Sequence, residues 1–171
     1  MSVMEHKKEA PTQVRCMIIT VSDTRTKDTD KSGVLIQEFL RKQGHVIGDY
    51  EIVRDEKQEI NDALQRGIHA PEVDAILMNG GTGIADRDVT IETVKEWLDK
   101  EIVGFGELFR MLSYTEDIGA AAMLSRAIAG VSNHTAVFAM PGSSGAVKLA
   151  MNKLISSELA HVIREIRKDL K

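Results

Sequence analysis

Cysteine, aromatic residues and long apolar runs are all scarce in this sequence. Cys16 is the single cysteine among 171 residues. A disulfide within the chain is therefore excluded, and a reducing compartment such as the cytoplasm is expected. Cys16 lies in an apolar run from Val14 to Val21 and is expected to be a small core residue rather than a nucleophile. Aromatic residues make up only 4%, so the core must be built from aliphatic side chains, Met and Ala.

Hydropathy and charge argue against two kinds of partner. No apolar run approaches the roughly 20 residues that a membrane-spanning helix needs, so no membrane is expected. The formal net charge of -4 argues against nucleic acid, which favours a basic surface. The first ten residues, MSVMEHKKEA, lack the apolar stretch of a signal peptide. We therefore predict a flexible tail over 1–12 and a single domain over 13–171.

Short apolar segments alternate with amphipathic stretches along the chain. The pattern predicts strands over 14–21, 45–53, 74–80 and 134–140. It predicts helices over 33–44, 55–68, 90–102 and 144–170, with two short helices within 104–130. This alternation is typical of an α/β fold in which helices cover both faces of a mainly parallel sheet. Ligands of such folds bind beyond the carboxyl ends of the strands, where the loops beginning at Ser22, Arg54, Asn79 and Pro141 are expected.

The most informative loop is NGGTGIADRDVT, residues 79–90. Gly80, Gly81 and Gly83 have no Cβ, so backbone N–H groups can approach a phosphate closely. Asp88 is a candidate Mg²⁺ ligand. The same residues also fit a tight turn in which Asp88 or Thr90 caps the following helix. The loop matches neither a P-loop nor a dinucleotide-binding fingerprint.

A second glycine- and serine-rich segment, PGSSGAVK, precedes the last predicted helix. Backbone donors over 142–145 would meet the positive end of that helix, which favours an anion. Ordinary capping by Ser143 or Ser144 explains the segment equally well.

Two further polar positions follow predicted strands. Asp55 either contributes to the site or forms a capping box with Gln58. Ser22 and Asp23 either contact a ligand or simply begin a loop. The histidines are scattered and show no metal-ligand spacing.

The chain resembles the molybdenum cofactor biosynthesis protein B family and its relatives, the molybdopterin adenylyltransferases. The resemblance is carried by TVSDTRTKDTDKSG, GGTGIADRDVT, GFGELFRMLSY, LSRAIAGV and AMPGSSGAVKLAM. It implies a three-layer α/β/α sandwich and a Mg²⁺-dependent reaction that transfers AMP from ATP to molybdopterin, giving adenylyl-molybdopterin and pyrophosphate. It also implies a homotrimer or homohexamer, with the molybdenum-insertion enzyme as a partner.

The resemblance also implies roles for individual residues. Asp55 and Asp88 match the family's functional acidic positions, with Asp88 as the metal ligand. The nucleotide phosphates are expected at Gly80, Gly81, Thr82, Gly83 and Thr90. Molybdopterin is expected at Ser22, Ser125, Arg126, Pro141, Gly142, Ser143 and Ser144.

Three other functions compete with adenylyl transfer. The first is a non-catalytic homologue that binds molybdopterin. The second is the molybdenum-inserting step, which related domains perform within larger proteins. The third is a nucleotide-binding oxidoreductase, against which the missing dinucleotide fingerprint counts.

Overall fold

The computed structural model describes residues 2–170. Its strands are β1 (Arg15–Val21), β2 (Val46–Val53), β3 (Ala75–Asn79), β4 (Lys100–Glu101), β5 (Ile128–Ser132) and β6 (Thr135–Met140). Its α-helices are α1 (Val3–Lys8), α2 (Lys31–Lys42), α3 (Lys57–His69), α4 (Thr90–Trp97), α5 (Val103–Glu116), α6 (Ser144–Ala150) and α7 (Ser156–Arg167). A 3₁₀ helix spans Gly119–Leu124, and a π-helical turn, Met151–Ile155, joins α6 to α7.

The strands form one six-stranded sheet in the order β2-β1-β3-β6-β5-β4. The first four are parallel, whereas β5 and β4 are antiparallel to their neighbours. β3 and β6 are buried along their whole length, as expected for strands covered on both faces. The mainly parallel α/β fold predicted from the sequence is confirmed.

Two separate apolar clusters show that helices cover both faces of the sheet. On one face, β1 presents Cys16 and Ile18 to side chains of α2, α5, α6 and α7. On the other face, Met17 and Ile19 pack against residues of α3 and α4. The alternation of side chains along β1 thus produces the three layers. Cys16 is buried in the core, as the sequence predicted.

The prediction of a flexible tail over 1–12 is wrong for residues 3–8, which form helix α1. A capping box between Ser2 and Glu5 begins this helix. Lys7 pairs with Glu158, and Glu9 pairs with Arg164, so charges attach the segment to α7. The apolar periodicity that indicates an amphipathic helix is absent from this segment, because α1 has no buried residue.

The segment 104–130 contains more structure than the two predicted helices. It begins within α5, continues through the 3₁₀ helix and ends in β5, a strand that the sequence analysis missed. β5 and β6 form a hairpin whose turn residues, Asn133 and His134, both have positive φ angles, 46° and 64°. Such a turn usually contains Asn-Gly, so Asn-His gave little signal. The helix predicted over 90–102 ends at Trp97, and β4 follows it.

The helix predicted over 144–170 is present but is not a uniform α-helix. One stripe of its buried residues recurs every four positions, at Val147, Met151, Ile155, Leu159 and Ile163. In an α-helix each such step drifts by about 40° around the axis. The wider π turn absorbs part of that drift and keeps the stripe on the sheet. Among residues 2–170, no helix is long and apolar enough to span a membrane.

Candidate functional site

A cavity of about 460 Å³ lies where β1, β3 and β6 end. Parallel strands bring their carboxyl ends to the same edge of the sheet, so loops distant in sequence meet there. The cavity is lined by Val21, Ser22, Thr24, Arg25, Asp55, Gly80, Gly81, Thr82, Gly83, Asp88, Leu124, Ser125, Pro141 and Gly142.

The glycine turn after β3 passes too close to its neighbours for any other residue. Gly80 and Gly81 have φ angles of 94° and 65°, values that residues with a Cβ rarely adopt. A Cβ on Gly80 would overlap the carbonyl oxygen of Val21. The Thr90 hydroxyl donates to the Gly80 carbonyl at 2.9 Å, and the Thr90 amide donates to the Gly81 carbonyl at 3.0 Å. These contacts fix the backbone that faces the cavity.

The same glycines bring two carboxylates close to the turn. A Cβ on Gly81 would lie 2.9 Å from Oδ1 of Asp55, and one on Gly83 would lie 2.5 Å from Oδ2 of Asp88. Asp88 Oδ2 also accepts a hydrogen bond from the Ala85 amide at 2.9 Å. Asp55 follows β2, where helix α3 begins without a side-chain cap. The predicted capping box between Asp55 and Gln58 is therefore not formed.

Burial and neighbouring negative charges disfavour the ionised form of Asp55. Burial, followed by the negative charges of Asp23 and Asp88, raises the pKa of the Asp55 carboxyl above its usual range. By contrast, hydrogen bonds from Arg87 lower the pKa of Asp23. Arg87 Nε lies 2.7 Å from one Asp23 oxygen, and its Nη2 lies 3.0 Å from Glu56. Arg87 thus pairs directly with Asp23 and Glu56, whereas its weaker effect on Asp55 is outweighed by burial and by Asp23.

Arg25 is the cation of the cavity wall. Its Nη2 donates to the Gly142 carbonyl at 2.8 Å, and its Nη1 lies 3.7 Å from Oδ1 of Asp30. Asp30 is almost completely buried. It accepts hydrogen bonds from the hydroxyls of Thr20 and Tyr50 and from the Gly33 amide. A buried carboxylate therefore anchors Arg25, the start of α2 and the loop at Gly142 together.

Arg126 and Thr90 support the cavity from behind rather than lining it. The Arg126 guanidinium donates to the carbonyls of Thr82 and Gly83 and pairs with Glu92. Thr90 is fully buried. Their role in this structure is to position the glycine turn.

Ser143 and Ser144 also lie outside the cavity lining. Ser143 caps α6, because its hydroxyl accepts from the Ala146 amide at 3.2 Å. Ser144 faces a different depression, next to Asp28 and Lys148. Helix capping thus accounts for Ser143.

The structure brings the remaining predicted residues into one cavity, namely Ser22, Asp55, Gly80, Gly81, Thr82, Gly83, Asp88, Ser125, Pro141 and Gly142. Sequence reasoning missed Val21, Thr24, Arg25 and Leu124. The segment TVSDTR did mark the loop. Nothing in the sequence showed that Arg25 turns toward Gly142.

A family model described as a probable molybdopterin binding domain matches residues 17–161. Molybdenum cofactor biosynthesis protein B of Bacillus subtilis (strain 168) is 66% identical over 169 residues, covering 99% of each chain. The chain belongs to the molybdenum cofactor biosynthesis protein B family. The protein of the same name from Staphylococcus carnosus (strain TM300) is 55% identical, covering 91% of this chain and 92% of the relative. Membership of the B family places the protein in molybdenum cofactor biosynthesis.

Solved structures of the B family superpose on nearly the whole chain. A crystal structure of molybdenum cofactor biosynthesis protein B aligns with a TM-score of 0.91 and 61% identity, covering 94% of this chain and 99% of that one. The tungsten cofactor synthesizing protein MoaB from Pyrococcus furiosus aligns with a TM-score of 0.83 and 41% identity, covering 92% and 99%. The three-layer fold expected from the resemblance is therefore confirmed.

Proposed function

We propose that this protein transfers AMP from ATP to the terminal phosphate of molybdopterin, releasing adenylyl-molybdopterin and pyrophosphate. The observation that carries the proposal is one cavity lined jointly by a glycine turn, two carboxylates, Ser125 and the Pro141–Gly142 loop. The turn suits nucleotide phosphates, and Ser125, Pro141 and Gly142 complete the lining. The family's description as a probable molybdopterin binding domain supports molybdopterin as that ligand.

The reaction needs positioning more than proton transfer. A terminal phosphate oxygen of molybdopterin attacks the α-phosphorus of ATP, a new P–O bond forms, and the bond to the β-phosphate oxygen breaks. The electron pair leaves with pyrophosphate. Because the attacking phosphate is anionic at neutral pH, little is gained from a general base. This accounts for a cavity wall without histidine or cysteine.

The backbone and Arg25 supply what the phosphates need. Backbone N–H groups of a glycine turn donate hydrogen bonds to phosphate oxygens at close range. Arg25, held by Asp30, places a positive charge in the wall. Such groups stabilise charge without reorganising during the reaction. Arg126 and Thr90 keep the turn in place.

Asp55 and Asp88 fit a divalent cation. Carboxylates in a polyphosphate site repel the substrate unless a cation lies between them, and hard oxygen ligands favour Mg²⁺. We assign Asp88 as its principal ligand and Asp55 as an acidic residue of the reaction centre. When bound, Mg²⁺ would neutralise charge on the phosphate oxygens.

The test is an assay of the purified full-length chain with ATP, MgCl₂ and molybdopterin. We expect adenylyl-molybdopterin and pyrophosphate in equal amounts. A parallel reaction with α,β-methylene ATP should give no transfer, because the bond that must break is replaced by P–C. Molybdopterin binding without any AMP transfer would contradict the proposal and would favour the non-catalytic binding role.

A further inference from the structure

Two histidines and a glutamate from opposite ends of the chain meet on the far side of the molecule. His6 lies on α1, whereas His161 and Glu165 lie one turn apart on α7. Each offers one ligand atom, and these atoms all lie within 4.8 Å of one another. Sequence spacing gave no sign of the cluster, because it forms only when α1 packs against α7.

The distances within the cluster are close to those of a metal site. His6 Nδ1 lies 3.0 Å from Glu165 Oε1, and His161 Nε2 lies 3.8 Å from the same oxygen. Ligands bound tetrahedrally to zinc at roughly 2.0–2.2 Å are about 3.3 Å apart. Small side-chain rotations that move the ligand atoms by less than about 1 Å would shorten the longer of these two distances to that value.

His161 already has the orientation of a metal-binding histidine. Its Nδ1 lies 3.0 Å from Glu158 Oε2. When Nδ1 carries the proton, it donates a hydrogen bond to this carboxylate oxygen. In the neutral ring the lone pair is then on Nε2. Nε2 is buried and has no hydrogen-bond partner, although buried nitrogens are normally paired. This ring nitrogen lies 3.8 Å from Glu165 Oε1 and within 4.8 Å of the ligand atom of His6.

The surrounding charges also bear on metal binding. Glu165 also forms ion pairs with Arg164 and Lys168. Arg164 occupies the Glu165 oxygen that the histidines approach, but it also pairs with Glu9. A metal ion would therefore compete with Arg164 for this oxygen, whereas the ion pair between Arg164 and Glu9 would be kept. Lys7 holds Glu158 in place.

A path for the ion leads through an adjoining groove. His161 and Glu165 line a cavity of about 610 Å³ between α7 and the β4–β5 edge of the sheet. The side chains of His6 and His161 are 25% and 18% exposed. The side chains of the two histidines are therefore partly exposed, although Nε2 of His161 is itself buried.

We propose that His6, His161 and Glu165 bind a divalent transition-metal ion of the zinc class, which fastens α1 to α7. Two imidazoles with one carboxylate favour Zn²⁺ over Mg²⁺, which prefers oxygen ligands. The site is separate from the cavity at the carboxyl ends of the strands, because none of its residues lines that cavity. Its expected role is to stabilise the fold.

The test is titration of the full-length, untagged protein with ZnCl₂ against a chromogenic chelator, in excess MgCl₂. We expect one zinc per chain and a rise in Tm that EDTA reverses. His6→Ala and His161→Ala should each weaken zinc binding by at least about tenfold. Glu158→Gln should weaken it by roughly 10- to 100-fold, the usual effect of losing the partner of a ligating histidine.

Two controls separate this site from other sources of zinc binding. His69→Ala, an exposed histidine on α3, should bind zinc as the wild type does. Asp88→Asn should also retain it, which distinguishes the cluster from the nucleotide cavity. If His161→Ala fails to fold, the zinc affinity of His6→Ala decides the question. This variant is expected to fold, because α1 buries no residue. Absence of stoichiometric binding, or unchanged affinity in His6→Ala, would overturn the proposal.

Discussion

Asp88 and Asp86 lie in the same loop after β3, but only Asp88 lines the cavity. Asp88→Asn keeps an oxygen that can accept from the Ala85 amide and removes the charge that would bind Mg²⁺. We expect AMP transfer to fall by on the order of a hundredfold or more, the scale of losing one preorganised electrostatic contact. Tm should stay close to that of the wild type.

Asp86→Asn is the matched control for this prediction. It makes the same change of charge on an exposed side chain two residues away, so AMP transfer should be nearly unchanged. Near-normal turnover of Asp88→Asn would remove the metal role from Asp88. Equal losses in both variants would indicate a general charge effect instead.

The raised pKa of Asp55 predicts a gain in stability when its charge is removed. Above its folded pKa the ionised carboxylate opposes folding, whereas below the unfolded pKa, about 3.9, both states are protonated and no penalty exists. Asp55→Asn should therefore raise Tm by about 1–3 °C at pH 7, and the gain should disappear toward pH 3.5. A gain that is independent of pH would contradict this origin. AMP transfer should fall in the same variant.

Gly80 and Gly104 should respond in opposite directions to the same substitution. Gly80→Ala places a Cβ against the Val21 carbonyl at a positive φ, and we expect a loss of at least about 2 kcal/mol in unfolding free energy. Gly104 lies in α5 with open space around its Cβ position. Gly104→Ala should gain about 0.5–1 kcal/mol. Urea unfolding measures both, and equal effects would refute the argument.

Among single residues, the sequence indicated where the backbone needs glycine better than it indicated which side chains contact each other. Gly80, Gly81 and Asp88 were candidates from their own loop, where a capped turn was the alternative, and Asp55 was assigned to the site by the family resemblance. The interactions of Arg25 could not be predicted from the sequence, because they depend on contacts with Asn79 and Gly142 across the sheet edge. These residues are adjacent only after folding.

Among the elements, α2 depends on Asp30, which is both its cap and the centre of a buried hydrogen-bond network. Asp30→Ala leaves the Gly33 amide and the Tyr50 hydroxyl without their acceptor. We expect a loss of about 2–4 kcal/mol in unfolding free energy, because unpaired buried donors are costly. Tyr50→Phe should cost only about 0.5–1.5 kcal/mol.

Asp28→Ala is the control for the Asp30 prediction. Asp28 is an exposed carboxylate in the same loop, so its removal should change the unfolding free energy by no more than about 0.5 kcal/mol. Denaturant unfolding followed by circular dichroism measures each variant. A small effect of Asp30→Ala would mean that water replaces the carboxylate in the network.

Two of the elements that the sequence analysis missed, β4 and α1, lack apolar patterns of their own. β4 has two residues, both exposed, and α1 buries none. β5 contains Gly130 and follows a 3₁₀ helix rather than a conventional turn. Their positions are set by tertiary pairing, which overrides local propensity.

At the scale of the whole molecule, the exposed apolar surface predicts self-association. The sequence placed Phe105, Leu108, Phe109, Met111, Leu112 and Tyr114 in a core or an interface. Phe105 and Phe109 are buried, whereas Leu108, Met111 and Tyr114 are 47%, 52% and 61% exposed. A contiguous exposed apolar surface is typical of an interface. Light scattering at micromolar concentration should give three or six times 18.9 kDa.

Substitutions on α5 test this surface. Met111→Glu should shift the measured mass toward the monomer, because it places a charge in an apolar contact. Val34→Glu, which changes an exposed apolar residue on α2, should leave the mass unchanged. A light-scattering mass of one chain for the wild-type protein would contradict the prediction of self-association.

The layer order was predictable because alternating strands and helices permit few arrangements. The packing of α1 against α7 was not predictable, because charged contacts rather than an apolar stripe hold the two helices together.

The π turn at Met151–Ile155 gives the last helix one residue more than an α-helix of the same span. Asn152 lies within it and is exposed. Its removal would restore regular i→i+4 pairing and would leave Met151 and Ile155 within about 60° of the same face. A one-residue deletion elsewhere in an α-helix turns all later side chains by about 100°. We therefore expect homologous chains that differ by one residue in length to place the gap here.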